Sequence, residues 1–504
     1  MNDTRLQKLK RLNSGQLPRV LDLFSGAGGL SLGFKSAGFE ITAALEIDQD
    51  AARTHALNFF RGELEIFRKV HEKPRNIITT EPFDLIHDYG YSDHDQAIDV
   101  VIGGPPCQAF ARVGRAKLRE VASHPEAFLK DPRANLYLRF LHYVEILKPL
   151  VIVMENVPDA LNHGGHNIAE ETCDVLTEYG YDVSYSLLNS AFYGVPQMRD
   201  RMFLVAYAPE LGTEIKFPYP TNLIDLPSGY NGTRNVALHY LNQKNGQLSL
   251  IRDPYYRPAP VPSSNDYLPQ AITAEQALDD LPPIFALDLL KQGIIKRGIQ
   301  EPASIVEYPN GISHSSYALL MRNWPGFETD NFVTSHIIRF LPRDYKLFAR
   351  LSPGDQYPQA HKKAILMFED ELKKMKVEGE FIEIESARYK ELYREFVPPY
   401  DPGKFPNKWR KMERDMPART IMAHIGKDSY SHIHYDSKQA RTISVREAAR
   451  IQSFPDGFVF SGKMNSAFRQ IGNAVPPLLA YHIACQIKEA LGQQQASILR
   501  YSCK

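Results

Sequence analysis

The stretch "RVLDLFSGAGGLSLGF", residues 19–34, decides the fold. It opens on an apolar run, breaks at a cluster of glycines and resumes with apolar residues at helical spacing. "RVLDLF" reads as a buried strand, and "GLSLGFKSAG" as a helix that ends at Gly38. Between them, Gly26, Gly28 and Gly29 permit a tight turn and let a ligand approach the backbone at the helix N-terminus. The spacing is not GxGxxG. That disfavours a dinucleotide and fits an adenosine cofactor without a pyrophosphate. A tight structural turn would use the same glycines, so the neighbouring segments must arbitrate.

Outward from this stretch the pattern alternates. "FEITAALEID" is a second strand, with Glu46 at its end, where a carboxylate can accept hydrogen bonds from ribose hydroxyls. "DQDAARTHALNF" reads as a helix, "IDVVIGG" as a strand, and "NLYLRFLHYVEIL" as a helix stopping before Lys148-Pro149. "LVIVMENVP" is a strand, "AEETCDVLTEYG" a helix and "RMFLVAYAP" a strand. Continuous apolar strands between amphipathic helices argue for an α/β domain whose sheet is parallel and covered on both faces. After Pro218 the chain turns rich in Pro, Tyr, Asn and Ser, then in charged helical stretches such as "AHKKAILMFEDELKKMKVEG". Basic clusters at 339–350 and 404–411 are interleaved with Phe340, Tyr345, Phe348, Phe405 and Trp409. Near Ala418 regularity returns, with helices in "SVREAARIQSF" and "VPPLLAYHIACQIKEAL". The plain reading is an α/β domain interrupted by a long, different insert.

Composition sets bounds. At roughly 100–200 residues per domain, 504 residues suggest two to four domains. The net charge of zero means that any nucleic-acid surface must be local. The four cysteines, Cys107, Cys173, Cys485 and Cys503, form no CxxC pair, which disfavours a disulfide scaffold or a cysteine-based zinc site. Cys173 and Cys485 fall in helical patterns and read as core. The polar N-terminus lacks a signal-like apolar region, and no apolar run is long enough to span a membrane. A reducing, cytoplasmic setting is expected.

Several segments carry chemistry. "GGPPCQAF", residues 103–110, places Cys107 just past a parallel strand, the edge where open α/β sheets bind ligands. The two prolines restrict the turn that presents the thiol, although an isolated cysteine is more often inert core. "MENVP" puts Glu155 and Asn156 at the same edge, where a half-buried carboxyl has a raised pKa and can hold a proton near neutrality. Asn156 equally suits a helix cap or a structural hydrogen bond. "QMRDR" sets Arg199 and Arg201 two apart, on one side of an extended segment, where two guanidinium groups suit anion or carbonyl recognition. His424, His432 and His434 have no acidic partner at ligand spacing, so no metal is expected.

Taken together and in order, these segments closely resemble the DNA (cytosine-5) methyltransferase family. "DLFSGAGGLSLGF" resembles its cofactor motif and "GGPPCQAF" its catalytic motif. "MENVP", "QMRDR", "TAEQALDDLPP", "RTISVREAARIQSFPDGFVFSG" and "QIGNAVPP" match later segments. The resemblance spans about 20–209 and 418–492. It implies a Rossmann-like S-adenosylmethionine-dependent methyltransferase fold with a mixed, mostly parallel sheet, interrupted by a large target-recognition insert. The implied divisions are 17–216 for the first part of the catalytic domain, 217–417 for target recognition and 418–492 for the return to the catalytic domain. The insert's basic and aromatic clusters would then supply phosphate contacts and base readout.

The resemblance also implies the roles. Cys107 would add to carbon 6 of a flipped-out cytosine, Glu155 would relieve charge at ring nitrogen 3, Arg201 would hold the carbonyl oxygen and Arg199 would support the site. S-adenosylmethionine would be bound by Asp22, Phe24, Ser25, Gly26, Gly28, Gly29, Glu46, Ile47, Pro106, Leu136, Asn473 and Ala474. Phe24 would stack on the adenine and Glu46 hold the ribose. Asp84 in "PFDLIH" stands as the third motif's acidic residue, in a stretch that matches poorly. Gln108, Arg112, Arg115 and Arg133 would contact DNA, from a basic segment at 111–133 that would close over the substrate. The expected partners are double-stranded DNA and a cognate restriction endonuclease acting separately; the chain is expected to be a monomer. A tRNA cytosine-5 methyltransferase uses the same motifs but would be more compact. A catalytically dead DNA-binding regulator would not need Cys107, Glu155 and Arg201 together, and the loop spacing disfavours a nicotinamide dehydrogenase.

Overall fold

The computed structural model describes residues 3–106, 134–162, 167–227, 234, 254–262, 267–296, 304–311, 314–427 and 430–492. The chain forms two compact units. The first holds 1–271, 459–461 and 474–504; the second holds 272–458 and 462–473.

The first unit is built on a six-stranded sheet. In chain order its elements are α1 (Asp3–Asn13), β1 (Arg19–Leu23), α2 (Gly29–Ser36), β2 (Glu40–Leu45), α3 (Gln49–Phe59), α4 (Glu65–Glu72), α5 (Pro82–Asp88), β3 (Val100–Gly103), α6 (Ala134–Leu147), β4 (Val151–Asn156), α7 (Ile168–Glu178), β5 (Asp182–Asn189) and β6 (Asp200–Tyr207). The spatial order is β2-β1-β3-β4-β6-β5. β2, β1, β3 and β4 pair in parallel, and β6 runs antiparallel to both β4 and β5. The sheet is therefore mixed and mostly parallel, as the resemblance implies. The central strands β1, β3 and β4 are almost wholly buried because helices cover the sheet, which is why they read as unbroken apolar runs.

Two elements of this unit are not apparent from apolar patterning. β5, "DVSYSLLN", alternates polar and apolar residues yet is buried along nearly its whole length. Its outer edge is covered by backbone hydrogen bonds between Tyr185 and the stretch at Tyr255 and Arg257. The polar N-terminus forms α1, whose Lys8 is fully buried. Its Nζ donates to Ile98 O at 2.6 Å, Leu147 O at 2.7 Å and Lys148 O at 3.2 Å.

The second unit contains α8 (Pro342–Arg350), α9 (Tyr357–Val377), α10 (Ala387–Phe396), α11 (Val445–Ile451) and α12 (Met464–Asn473); α13 (Pro477–Ala490) returns to the first unit. Its core gathers Tyr345, Phe348, Tyr357, Phe368, Leu392 and Trp409. This corrects one expectation: Tyr345, Phe348 and Trp409, interleaved with the basic clusters, are buried core and not open to bases. Tyr345 and Phe348 lie on the buried face of α8, whose Arg343, Lys346 and Arg350 are exposed, whereas Lys411 beside Trp409 is itself buried and donates to Phe348 O. Trp324 is equally buried. A second buried region is ionic. Arg450 sits between Asp280 and Asp456, and Arg441 pairs with Glu447. The residues 445–451 form α11 behind a Ser444–Glu447 capping box. Among the described residues no helix is long and apolar enough to cross a membrane.

Candidate active site

Strands β3 and β4 end side by side, and their ends carry the catalytic candidates. β3 stops at Gly103 and leads through Gly104 and Pro105 to Pro106, which is exposed. Asn156 Nδ2 donates to Pro105 O at 3.1 Å, and Asn156 Oδ1 accepts from Val157 N at 2.9 Å. Asn156 is thus a structural clamp that ties the proline turn of one strand to the end of the next. Cys107 follows Pro106 in the chain; it lies outside the described residues, as do Gln108, Arg112, Arg115, Arg133 and the whole 111–133 segment.

Glu155 is the penultimate residue of β4 and faces the antiparallel β6. Arg201, on β6, donates from Nε to Glu155 Oε1 at 2.7 Å, and both side chains are about nine-tenths buried. Burial raises the Glu155 carboxyl above its ordinary pKa, although Arg201 and then Arg199 pull it down. The result is a carboxyl that holds a proton more readily than a solvated one while remaining hydrogen-bonded. Arg199, fully buried, donates from a terminal nitrogen to Ala474 O at 3.1 Å. Between the two arginines Asp200 turns away, meeting Asn189 Nδ2 at 3.0 Å and Arg234 at 2.6 Å. Both guanidinium groups act on the Glu155 carboxyl through their charge, Arg201 more strongly than Arg199.

The glycine loop lies at the end of β1. Phe24 adopts a left-handed φ of 61°, which costs a non-glycine residue strain and turns its half-buried ring out of the strand. Gly28 has a φ of 96°, and a Cβ there would lie 2.4 Å from Phe59, so only glycine fits. Glu46 closes the loop: Oε2 accepts from Gly26 N at 2.9 Å and Oε1 from Asp48 N at 2.7 Å. Burial raises its pKa against these backbone donors. Next to it, Ile47 is largely exposed. Ser25 Oγ and Asp22 Oδ1 are buried with no hydrogen-bond partner among the described residues, and each such atom calls for an explanation. An open loop, a half-buried aromatic ring, a carboxylate and two orphaned polar atoms together fit a ligand with an aromatic base, hydroxyls and charge.

The remaining cofactor candidates spread more widely. Ala474 and Gly29 lie in the first unit, where the Ala474 Cβ comes 3.3 Å from a Cβ built on Gly29. Leu136 is half-buried on α6. Asn473 is the exposed last residue of α12, in the second unit. Asp84 is exposed on α5, and no described contact joins it to Asp22, Glu46 or Glu155. The stretch that does reach the end of β2 is Arg75–Asn76: Arg75 N donates to Glu46 O at 2.7 Å. Sequence reasoning passed over it because "KPRNIITT" carries neither an acidic residue nor a recognisable period. It also passed over Ser31 and His55, which lie beneath the loop. His432 and His434 are spent on Arg419 O and on the Glu447 region, and among the described residues no cluster of histidine, cysteine or acidic side chains is arranged to hold a metal.

A family model described as C-5 cytosine-specific DNA methylase matches residues 18–256 and 330–489. The chain belongs to that family. This C-5 cytosine-specific DNA methylase is thus an enzyme that transfers a methyl group to carbon 5 of cytosine in DNA. Its relatives include M.OihORF3336P of Oceanobacillus iheyensis, named in the type II methyltransferase class, 38% identical over 478 residues that cover 94% of this chain and 96% of the relative. Type II methyltransferase M.AgeI of Thalassovita gelatinovora is 30% identical over 493 residues, 94% of this chain and 100% of the relative. A crystal structure named for a DNA modification methyltransferase from an Escherichia coli prophage shares the fold, with a TM-score of 0.57 at 21% identity, over 94% of this chain and 100% of that one.

Proposed function

We propose that this methylase uses S-adenosylmethionine, acts on one specific sequence of double-stranded DNA and works through a covalent Cys107 adduct, in the manner of a restriction–modification enzyme. The observation that carries the reading is the Glu155–Arg201 pair, buried at the sheet edge one clamp away from the proline turn that leads to Cys107.

The steps follow from what each group can do. Carbon 5 of cytosine is too weak a nucleophile to take a methyl group unaided. The Cys107 thiolate adds to carbon 6, and the ring becomes enamine-like. Charge builds on nitrogen 3, where the proton held by Glu155 meets it. Arg201 steadies that carboxyl and the base's carbonyl oxygen, and Arg199 braces the site from behind. Bound S-adenosylmethionine supplies an electrophilic methyl group on a sulfonium. Once carbon 5 carries the methyl group, its proton passes to solvent water, the thiolate departs and nitrogen 3 returns its proton to Glu155, which restores the neutral aromatic ring. A base inside a duplex is out of reach, so the target nucleotide flips out. The loop around Phe24, Ser25, Gly26 and Gly28, with Glu46 and Ile47, would hold the cofactor; Asp84 has less support than the Arg75–Asn76 stretch.

The 217–417 segment would read the sequence, and Gln108 with the basic 111–133 segment would contact the DNA. The naming of the relatives as type II methyltransferases supports a separate cognate endonuclease. A cytoplasmic monomer working beside that DNA completes the reading. Bisulfite sequencing of DNA from cells expressing the protein tests it. We expect 5-methylcytosine confined to one sequence context, and none with Cys107→Ser. Methylation by the Cys107→Ser variant within tenfold of wild type would remove the covalent step, which is expected to be worth far more than about tenfold.

A further inference from the structure

Beneath the glycine loop, Asp22 is joined in a buried chain to two polar side chains, Ser31 and His55, to which the proposed mechanism gives no part. Asp22 Oδ2, on β1, accepts from Ser31 Oγ of α2 at 2.6 Å. Ser31 Oγ lies 2.9 Å from His55 Nε2 of α3. All three residues are at most 1% exposed. The chain ends in two buried atoms without partners among the described residues, Asp22 Oδ1 and His55 Nδ1. It also touches the loop itself, because a Cβ on Gly28 would lie 2.9 Å from the His55 ring.

Ser31 owns a single proton, so two arrangements satisfy the chain. With Asp22 ionised, Ser31 donates to it and His55 donates from Nε2. With Asp22 protonated, Asp22 donates to Ser31, Ser31 donates to Nε2, and the ring proton sits on Nδ1. The two differ by one proton, and so by one buried negative charge under the loop. Burial pushes Asp22 up to about 7; the Ser31 hydrogen bond opposes this and the charge on Glu46, at the end of β2, adds to it. Burial pushes His55 down to about 3, helped by His71 of α4 and Lys35 of α2, so the ring stays neutral. Among the described residues these are the charged and titratable groups that face the chain from α2, α4 and β2.

We propose that the Asp22–Ser31–His55 chain makes cofactor binding release a proton: the positive charge of an adenosyl sulfonium favours the Asp22 carboxylate, and the neutral thioether left after transfer does not. Ser31 and His55 are positioning residues in this scheme. It rests on the reading of the loop as the S-adenosylmethionine site. The proton passes to solvent on binding and returns when the sulfonium charge is lost. The enzyme thereby tells its methyl donor from the demethylated product by charge.

Calorimetric titrations near pH 6.5, in two buffers of different ionisation enthalpy, count the protons. The expected result is release of a substantial fraction of one proton with S-adenosylmethionine and much less with S-adenosylhomocysteine; the α-ammonium common to both cancels. Affinity for the sulfonium should weaken by up to about tenfold per pH unit below about 7. Asp22→Asn should abolish the release. Ser31→Ala removes the bond that lowers Asp22, so the midpoint should move to higher pH; it serves as the independent test if Asp22→Asn fails to fold. No release by wild type, equal release with both compounds, or an unmoved midpoint in Ser31→Ala would overturn the proposal. Release that persists in Asp22→Asn and vanishes in Glu46→Gln would assign the proton to Glu46 and overturn it too. If neither compound binds the wild-type protein, the cofactor reading itself fails, and this inference with it.

Discussion

At Glu155 burial and charge pull in opposite directions. Burial raises its pKa, while Arg201 and, less strongly, Arg199 lower it. In the proposed mechanism the acid form is the one required at nitrogen 3, and its share grows as pH falls. In the same scheme Cys107 acts in the opposite sense, since there it would be a thiolate. The pH–rate profile is therefore expected to be a bell, with Glu155 setting one of its two limbs. Arg201→Gln removes the larger lowering charge and should move that limb to higher pH, even as the maximal rate falls. Glu155→Gln should cost about 10²–10⁴-fold in kcat with the cofactor still bound. A profile in which neither limb moves in Arg201→Gln would separate Glu155 from both ionisations.

Among the elements, α1 shows how a segment can be structural without looking so. One buried ammonium, Lys8 Nζ, ties Ile98, just ahead of β3, to the last carbonyls of α6 at Leu147 and Lys148. A cation suits a helix C-terminus. Beside it Arg11 pairs with Asp99, the residue that precedes β3. Lys8→Met would leave these carbonyls buried and unpaired, at a cost of about 1–3 kcal/mol; a urea melt that shows no loss of stability would make the latch dispensable. The sequence hides such an element, because "TRLQKLKRLN" has the composition of a solvated helix and only the partners of Arg5, Lys8 and Arg11 reveal otherwise. β5 is hidden for a related reason: Ser184 and Ser186 break its apolar run, yet both are buried. By contrast β1, β3 and β4 are legible, since central parallel strands must be apolar on both faces and end in glycine or proline where the backbone leaves the sheet. Glu155 is legible for the same reason, as a polar residue at the end of such a strand, and Arg201 as one of two arginines two apart where antiparallel β6 begins. The contacts of Ser31 and His55 are not, because a serine and a histidine on helices read alike whether buried or solvated.

Over the whole molecule the two units answer acid differently. In the second unit His336 and His432 are pushed down to about 4 and His434 to about 3, chiefly by burial. Each stays neutral in the folded state but protonates near pH 6.5 when unfolded, so its contribution is complete above about 6.5 and is lost as pH falls toward the folded value. Glu447 and Asp456, held low by Arg441 and Arg450, add their loss only below about pH 4. In the first unit His55, His71 and His482 act in the same direction. There, however, Asp22, Glu46, Asp99 and Glu155 have raised pKa values and take up protons in the folded state first, which offsets the histidines. The second unit should therefore loosen first on acidification. After incubation between pH 6.5 and 5, a brief protease pulse at neutral pH should cut within 342–396 while 19–103 stays protected. Simultaneous cleavage of both would mean that the units unfold as one.

Trp324 and Trp409, the chain's two tryptophans, are both buried in the second unit. Light absorbed at the red edge of the aromatic band therefore reports on that unit alone, and the first unit is dark in the same channel. A shift of indole emission on adding DNA, without one on adding cofactor, would locate the response in the unit that carries both indoles. No label needs to be attached: the placement of two side chains has already given the molecule a one-sided optical signal.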